Sequence, residues 1–180
     1  MSSFGTSAFG AASYGGDIPP YLLFDIDAEI TARARNYLAR GSMDGTSIKV
    51  VSFSVGTGGA DLFDYRVATP VDPDAIDLEA PTPILVGPPD IMTKLITQYE
   101  HPNPMASCAY CQLDAAEGND VLSEVALWAE VLKSPYQYED PNLPNPPPIA
   151  KVTFLAAIGH FPVKAKNSSM QYALRVNVQF

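Results

Sequence analysis

The chain has 180 residues, 47% hydrophobic and 17% charged, with a formal net charge of −9 and a pI of about 4.5. That apolar share supports one domain with a true core and excludes a globally disordered chain. The 11 Lys and Arg stand against 20 Asp and Glu and are scattered, which argues against binding to nucleic-acid phosphates. No apolar run approaches the roughly 20 residues of a bilayer span, and no positive charge precedes an apolar N-terminal stretch, so neither a membrane partner nor a secretory signal is expected. The 17 prolines and 12 glycines predict short strands and long connections rather than a helical bundle.

Residues 1–20, MSSFGTSAFGAASYGGDIPP, are rich in Gly, Ser and Ala and carry too little apolar area to fold alone. This N-terminal arm is read either as a solvated tail or as a segment ordered by a partner. Phe4, Phe9 and Tyr14 are then small anchors for pockets of another subunit. Asp27–Arg40 is predicted to be a helix. Asp25 or Asp27 would cap it, Ile30, Ala34, Tyr37 and Leu38 form its apolar face, and Gly41 stops it. Ile48–Val55 is a predicted strand, and Gly56–Gly59 (GTGG) a tight exit turn. A phosphate cradle is disfavoured there, because ADLFDYR follows with two aspartates and no Lys-Ser/Thr pair. Residues 68–89 form a Pro-rich acidic loop. Its Asp72, Asp74, Asp77 and Glu79 lack the spacing and the glycine of a calcium loop, so they are read as a solvated face.

Ile91–Tyr99, Cys108–Leu113 and Asp120–Leu132 are the next predicted strands. In the last, DVLSEVALWAEVL, Glu124 stands among apolar residues. A buried carboxylate needs a partner, and Arg175 or a tyrosine hydroxyl is expected to supply it. Cys108 and Cys111 (CAYC) would face opposite sides of a strand, with no second cysteine pair, and are read as two reduced thiols. Residues 135–148 are again Pro-rich, and NPPP favours polyproline II; Tyr136 and Tyr138 are candidate partner contacts there. Val152–Phe161 and Gln171–Phe180 are predicted to pair as a hairpin. The latter alternates strictly, with Tyr172, Leu174, Val176, Val178 and Phe180 on one face.

These elements predict an α+β, mostly β fold: a small antiparallel β-sandwich-like domain over residues 21–180. It would have one N-terminal helix, an extended arm over residues 1–20 and long Pro-rich loops. His101 (EHPNP) and His160 (IGHFP) are the two histidines, and neither sits in a hydrolase or metalloprotease pattern. Catalytic, cofactor-binding and metal-binding residues are therefore not expected.

Glu29–Gly59, EITARARNYLARGSMDGTSIKVVSFSVGTGG, resembles the opening of phage tail-collar fibre N-terminal domains. Ile30, Thr31, Ala34, Leu38, Gly45, Ile48, Val50, Val55, Gly56, Gly58 and Gly59 stand at the places of that pattern. EVALWAEVL, Glu124–Leu132, is similar to the family's E-[IV]-G-L-[FWY] strand, with Ala126 at its glycine. The C-terminal FLAAIGHFPVKAKNSSMQYALRVNVQF resembles its closing strands. Thr57 replaces the aspartate usual in V-G-D-G. The resemblance implies a virion structural protein of a tailed phage that attaches a tail fibre to the baseplate or builds the baseplate or collar. It also implies manufacture in the host cytoplasm, trimeric assembly, and other virion subunits as partners. The candidate partner-binding residues are Phe4, Phe9, Tyr14, Tyr136, Tyr138 and Phe180. Family domains lead into a long shaft, whereas this sequence ends at Phe180, so a fibre here would come from another chain, with Phe180 at the hand-over. Two alternatives remain at this stage. One is a capsid decoration or head/neck protein. The other is a surface carbohydrate-binding module in which Trp128, Tyr136 and Tyr138 stack on sugars.

Overall fold

Alternation begins with the first strand. In the computed structural model, which describes residues 21–61, 63–78, 92–96, 98–103, 106–132 and 152–179, Tyr21–Ile30 forms strand β1. Ile26, Ala28 and Ile30 are buried in it, and Asp25, Asp27 and Glu29 are exposed. The helix expected from Asp27 begins instead at Ala32: α1 spans Ala32–Asp44. Ile30 and Ala34 fit both a period-two and a helical pattern, and Thr31 decides where one gives way to the other. Its backbone is extended (φ −66°, ψ 154°), and its Oγ1 accepts from the Ala34 N–H at 3.2 Å, so Thr31 is the N-cap in place of Asp25 or Asp27. The same hydroxyl donates to the Leu155 carbonyl at 2.8 Å, tying the helix start to the sheet. The helix passes through Gly41 and stops at Gly45, whose left-handed φ of 74° lets its N–H reach the Gly41 carbonyl. Thr31→Val should therefore cost about 1–2 kcal/mol. The measurement is a lower denaturant midpoint at unchanged m-value.

The remaining strands are β2 (Ser47–Gly56), β3 (Met92–Leu95), β4 (Gln98–Asn103), β5 (Ala106–Leu113), β6 (Val121–Leu132), β7 (Thr153–Ala165) and β8 (Gln171–Gln179). With one helix among the described residues, the fold is α+β and mostly β. The strands join in one eight-stranded sheet of order β3-β2-β6-β7-β1-β8-β5-β4. The single strand expected over Ile91–Tyr99 is two, β3 and β4, at opposite edges of that sheet. Only Ile96 and Thr97 separate them in sequence, a step that reaches about 11 Å at most. The sheet must therefore curl until its edges meet. Ile96 N–H donates to Val51 O at 3.0 Å, and Tyr99 Oη donates to Val50 O at 2.8 Å across that seam.

The expected hairpin of the last two strands does not form, because β1 lies between β7 and β8. Over Tyr21–Ala28 it runs parallel to β8; at Glu29 and Ile30 it pairs antiparallel with β7. Gly159 permits the change of partner. A Cβ there would lie 2.8 Å from Ile26 Cγ2 and 3.1 Å from the Asp27 carbonyl, so β1 and β7 approach closely only because it is absent.

Inside the curl, Phe53, Leu113, Leu127, Phe154 and Leu174 are fully buried. Each contributes roughly 1.5–3 kcal/mol by leaving water. Helix α1 covers one end: Tyr37 packs 4.7 Å from the Phe154 ring, and Arg33 stands 5.5 Å over the same ring. At the other end Lys94 Nζ donates to Glu117 Oε2 at 2.6 Å and Asp114 Oδ2 at 3.1 Å. Beside it the buried Lys166 donates to Asp114 O at 2.7 Å and Asn119 Oδ1 at 3.1 Å. The hydrogen bond from Lys94, with one from the Asp114 N–H, holds the Glu117 carboxyl below its ordinary value. A carboxyl depressed in the folded state stabilises above its unfolded pKa, and that contribution is lost as pH falls through the folded one. Glu117→Gln should accordingly flatten the loss of stability between about pH 5 and pH 3, read from thermal midpoints of the two proteins.

Candidate functional site: a clasped strap and its exposed aromatic loop

The residues after β2 form a strap, 57–78, over the outer face of β6 and β7. It starts at the Gly-rich turn. A Cβ on Gly59 would sit 2.3 Å from the Ser123 carbonyl and 3.0 Å from the His160 ring, so only glycine lets the strap leave here. Ala60 bridges to Ala68, and Thr69 N–H donates to Gly59 O at 3.0 Å. At its far end Leu78 is buried on Ala126, Leu155 and Ile158, with Trp128 alongside. The carboxylates of this segment serve its own backbone. Asp72 Oδ1 accepts from Asp74 N–H at 2.9 Å and Asp77 Oδ1 from Leu78 N–H at 2.8 Å. The Pro73 carbonyl accepts from the Ala32 N–H at 2.7 Å, at the first turn of α1.

A buried pair fastens the middle of the strap. Glu124 of β6 lies with Oε1 3.3 Å from Nε2 of His160 on β7, their side chains 0% and 1% exposed. Among the described residues, His160 rather than Arg175 or a tyrosine is thus paired with Glu124. Arg175 shares the outer face but stands on β8, three strands from β6 in the sheet, 3.4 Å from Asp25 and 3.6 Å from Glu100. On its other side His160 Nδ1 is 3.0 Å from both the carbonyl and the hydroxyl of Thr69. A carbonyl only accepts, so Nδ1 carries a proton and donates to Thr69. Nε2 then faces Oε1 of Glu124 across 3.3 Å. The pair clamps the strap to the sheet.

The loop that the strap carries is closed on itself. Asp61 N–H donates to Val67 O, and Val67 N–H to Asp64 O, each at 2.9 Å. Asp61 Oδ1 accepts from the N–H groups of Phe63 at 2.7 Å and Asp64 at 3.1 Å. Arg66 Nε bonds Asp64 Oδ1 at 3.0 Å and holds that carboxyl below its ordinary value. Val163 N–H of β7 donates to Tyr65 O at 2.9 Å. On this pinned backbone Phe63 is 96% exposed and Tyr65 66%. Sequence reasoning read ADLFDYR as evidence against phosphate binding and passed over its two aromatics. The signal was present: a D-x-F-D stretch, whose first aspartate forms an Asx-turn, bounded by Gly-rich turn and strand bridge.

A cavity of about 370 Å³ lies on the opposite, inner face of the sheet, under α1. Ala34, Ala109, Ala156 and Ala157 line it, and the partly exposed Leu38 and Tyr99 stand at its rim. Lys49 and His101 are on its lining, which includes no Asp or Glu among the described residues. His101 Nδ1 is 2.9 Å from Ser107 Oγ there. A wider cleft of about 890 Å³ runs between β1, α1 and the strap, bordered by Asp27, Glu29, Arg35 and Asn177.

Phe4, Phe9, Tyr14, Tyr136, Tyr138 and Phe180 lie outside the described residues. Cys108 and Cys111 take opposite faces of β5. Cys108 Sγ donates to Asn177 Oδ1 at 3.0 Å, while Cys111 points into the core, where burial pushes its thiol pKa up. Trp128 is half-buried, and its Nε1–H donates to Ser54 Oγ at 2.9 Å. Compared with protein-family models, curated proteins and solved structures, the chain matches none of them.

Proposed function

We propose that this chain is a non-enzymatic structural subunit of a tailed-phage virion, which attaches a tail fibre to the baseplate or builds the baseplate or collar. It assembles there as a homo-oligomer, a trimer, and meets other tail subunits. The observation that carries the reading is the aromatic loop. Phe63 and Tyr65 are held in water by hydrogen bonds that keep them from folding back, and aromatic anchors that become buried on contact dominate binding energy at protein interfaces. The residues shared with the tail-collar pattern are consistent with it, since they serve the fold. Ile30, Ala34 and Val55 are core, Thr31 is a cap, Gly45 a helix stop and Gly59 a contact under the strap. The test is to separate purified virions into heads and tails and to assay each fraction for this chain by mass spectrometry. The proposal expects it in tails. Its confinement to heads would replace this reading with the decoration or neck protein.

A further inference from the structure

The geometry points to one specific contact between copies: we propose that the Phe63–Tyr65 loop of one copy docks in the alanine-lined cavity of the next. This deepens the assembly reading and rests on it for its biological setting. The loop cannot enter the cavity of its own chain. It is held by the backbone of Val163 near the C-terminal end of β7, whereas the cavity is lined by Ala156 and Ala157 near the N-terminal end of that strand. Along β7 the two are about 20 Å apart at a strand rise near 3.3 Å, too far for a loop pinned at Val163.

Size and chemistry match. At about 370 Å³ the cavity is at the small end of ligand pockets and has room for an aromatic side chain. Its alanines leave that room, since larger residues at Ala109 or Ala157 would fill it. The loop brings Asp61 beside its rings, with Asp64 balanced by Arg66, so the knob is net acidic by one charge, and the cavity lining carries Lys49 and His101 with no carboxylate among the described residues. In a chain of net charge −9 such a lining is an acceptor for an acidic-flanked knob rather than a sample of the surface. The polar rim at His101 and Ser107 suits the hydroxyl end of Tyr65. Knob and socket are different surfaces, so the contact is head-to-tail. Such contacts repeat around a closed ring, or run on as a filament when the rotation does not close.

The test is sedimentation equilibrium of the full chain with three variants: F63A/Y65A in the knob, and Leu38→Glu or Ala109→Leu in the socket. Leu38 stands at the exposed rim, so its variant keeps the fold even if the core change does not; circular dichroism and melting temperature check each. Wild type should associate, and each folded variant should associate at least about tenfold more weakly. An equimolar mixture of the knob variant and the Leu38→Glu variant retains one intact knob and one intact socket, and should stop at heterodimers. A monomeric wild type, or a folded variant that associates like wild type, overturns the proposal. The two readings fail separately. A chain found only in heads that still shows the knob-and-socket pattern sinks the tail assignment alone, and a monomeric chain found in tails sinks this contact alone.

Discussion

Glu124→Ala is expected to lower the unfolding free energy by about 3–5 kcal/mol, the cost of removing one partner from a buried ion pair. Glu124 and His160 are almost completely withdrawn from water at 3.3 Å from each other. Without the carboxylate, His160 keeps its contact to Thr69, but its second nitrogen faces a dry space where the carboxyl oxygen stood. Urea unfolding monitored by Trp128 fluorescence measures the loss, because that residue sits in the same strand as Glu124. A loss under about 1 kcal/mol, the value of an exposed pair, would show that the clasp does not hold the strap. A cycle with His160→Ala should give a coupling of about 1–3 kcal/mol, as for contacting residues in one network. The proteolytic pattern follows from the same geometry: either single variant should open the strap to cleavage near Phe63 and Tyr65 before the sheet unfolds.

Gly59→Ala should be nearly as damaging, at about 3 kcal/mol, the upper end of overpacking costs. The obstacle is not a side chain that can swing away. The added Cβ would stand 2.3 Å from the carbonyl of Ser123, in a strand paired on both sides, and 3.0 Å from the clamped His160 ring. The strap must lift, which weakens the bond from Thr69 N–H to the Gly59 carbonyl and loosens the loop that presents Phe63. Amide exchange reads this directly. Protection of Thr69 and Val163 should fall in the variant, while protection in β5 and β8 stays near wild type. Uniform loss across all strands would mean that the turn is part of the global fold rather than of a separable strap.

Much of the fold was legible because its signals are local. Period-two alternation in Gln171–Gln179 marked Tyr172, Leu174, Val176 and Val178 as buried, and they are. The same rule put Cys108 and Cys111 on opposite faces. Asp120–Leu132 is apolar on both phases, and its Val and Trp residues with the Gly118-Asn119 turn favoured strand over a short helix, as found, with Glu124 buried. The helix was found with its start misplaced, since Ile30 and Ala34 satisfy two periods at once. Only the hydrogen bond from Thr31 to Leu155, far away in sequence, separates them. The aromatic loop was missed for a different reason: the Asx-turn of D-x-F-D is local, but the bond from Val163 that holds Tyr65 in place is not.

The sequence by itself determined which strand residues turn inward and that the chain is mostly β with one N-terminal helix, but not the helix ends at Thr31 and Gly45. These follow from side-chain period and backbone freedom, which each short segment carries on its own. The tertiary structure decided who pairs with whom. It inserted β1 between β7 and β8, split the strand at Ile96 so that the sheet edges meet, and gave Glu124 to His160 rather than Arg175. Alternation specifies a face but not a neighbour. The choice among neighbours rests on contacts such as the close approach at Gly159 and the buried pairing of Glu124 with His160, which exist only once the chain has closed.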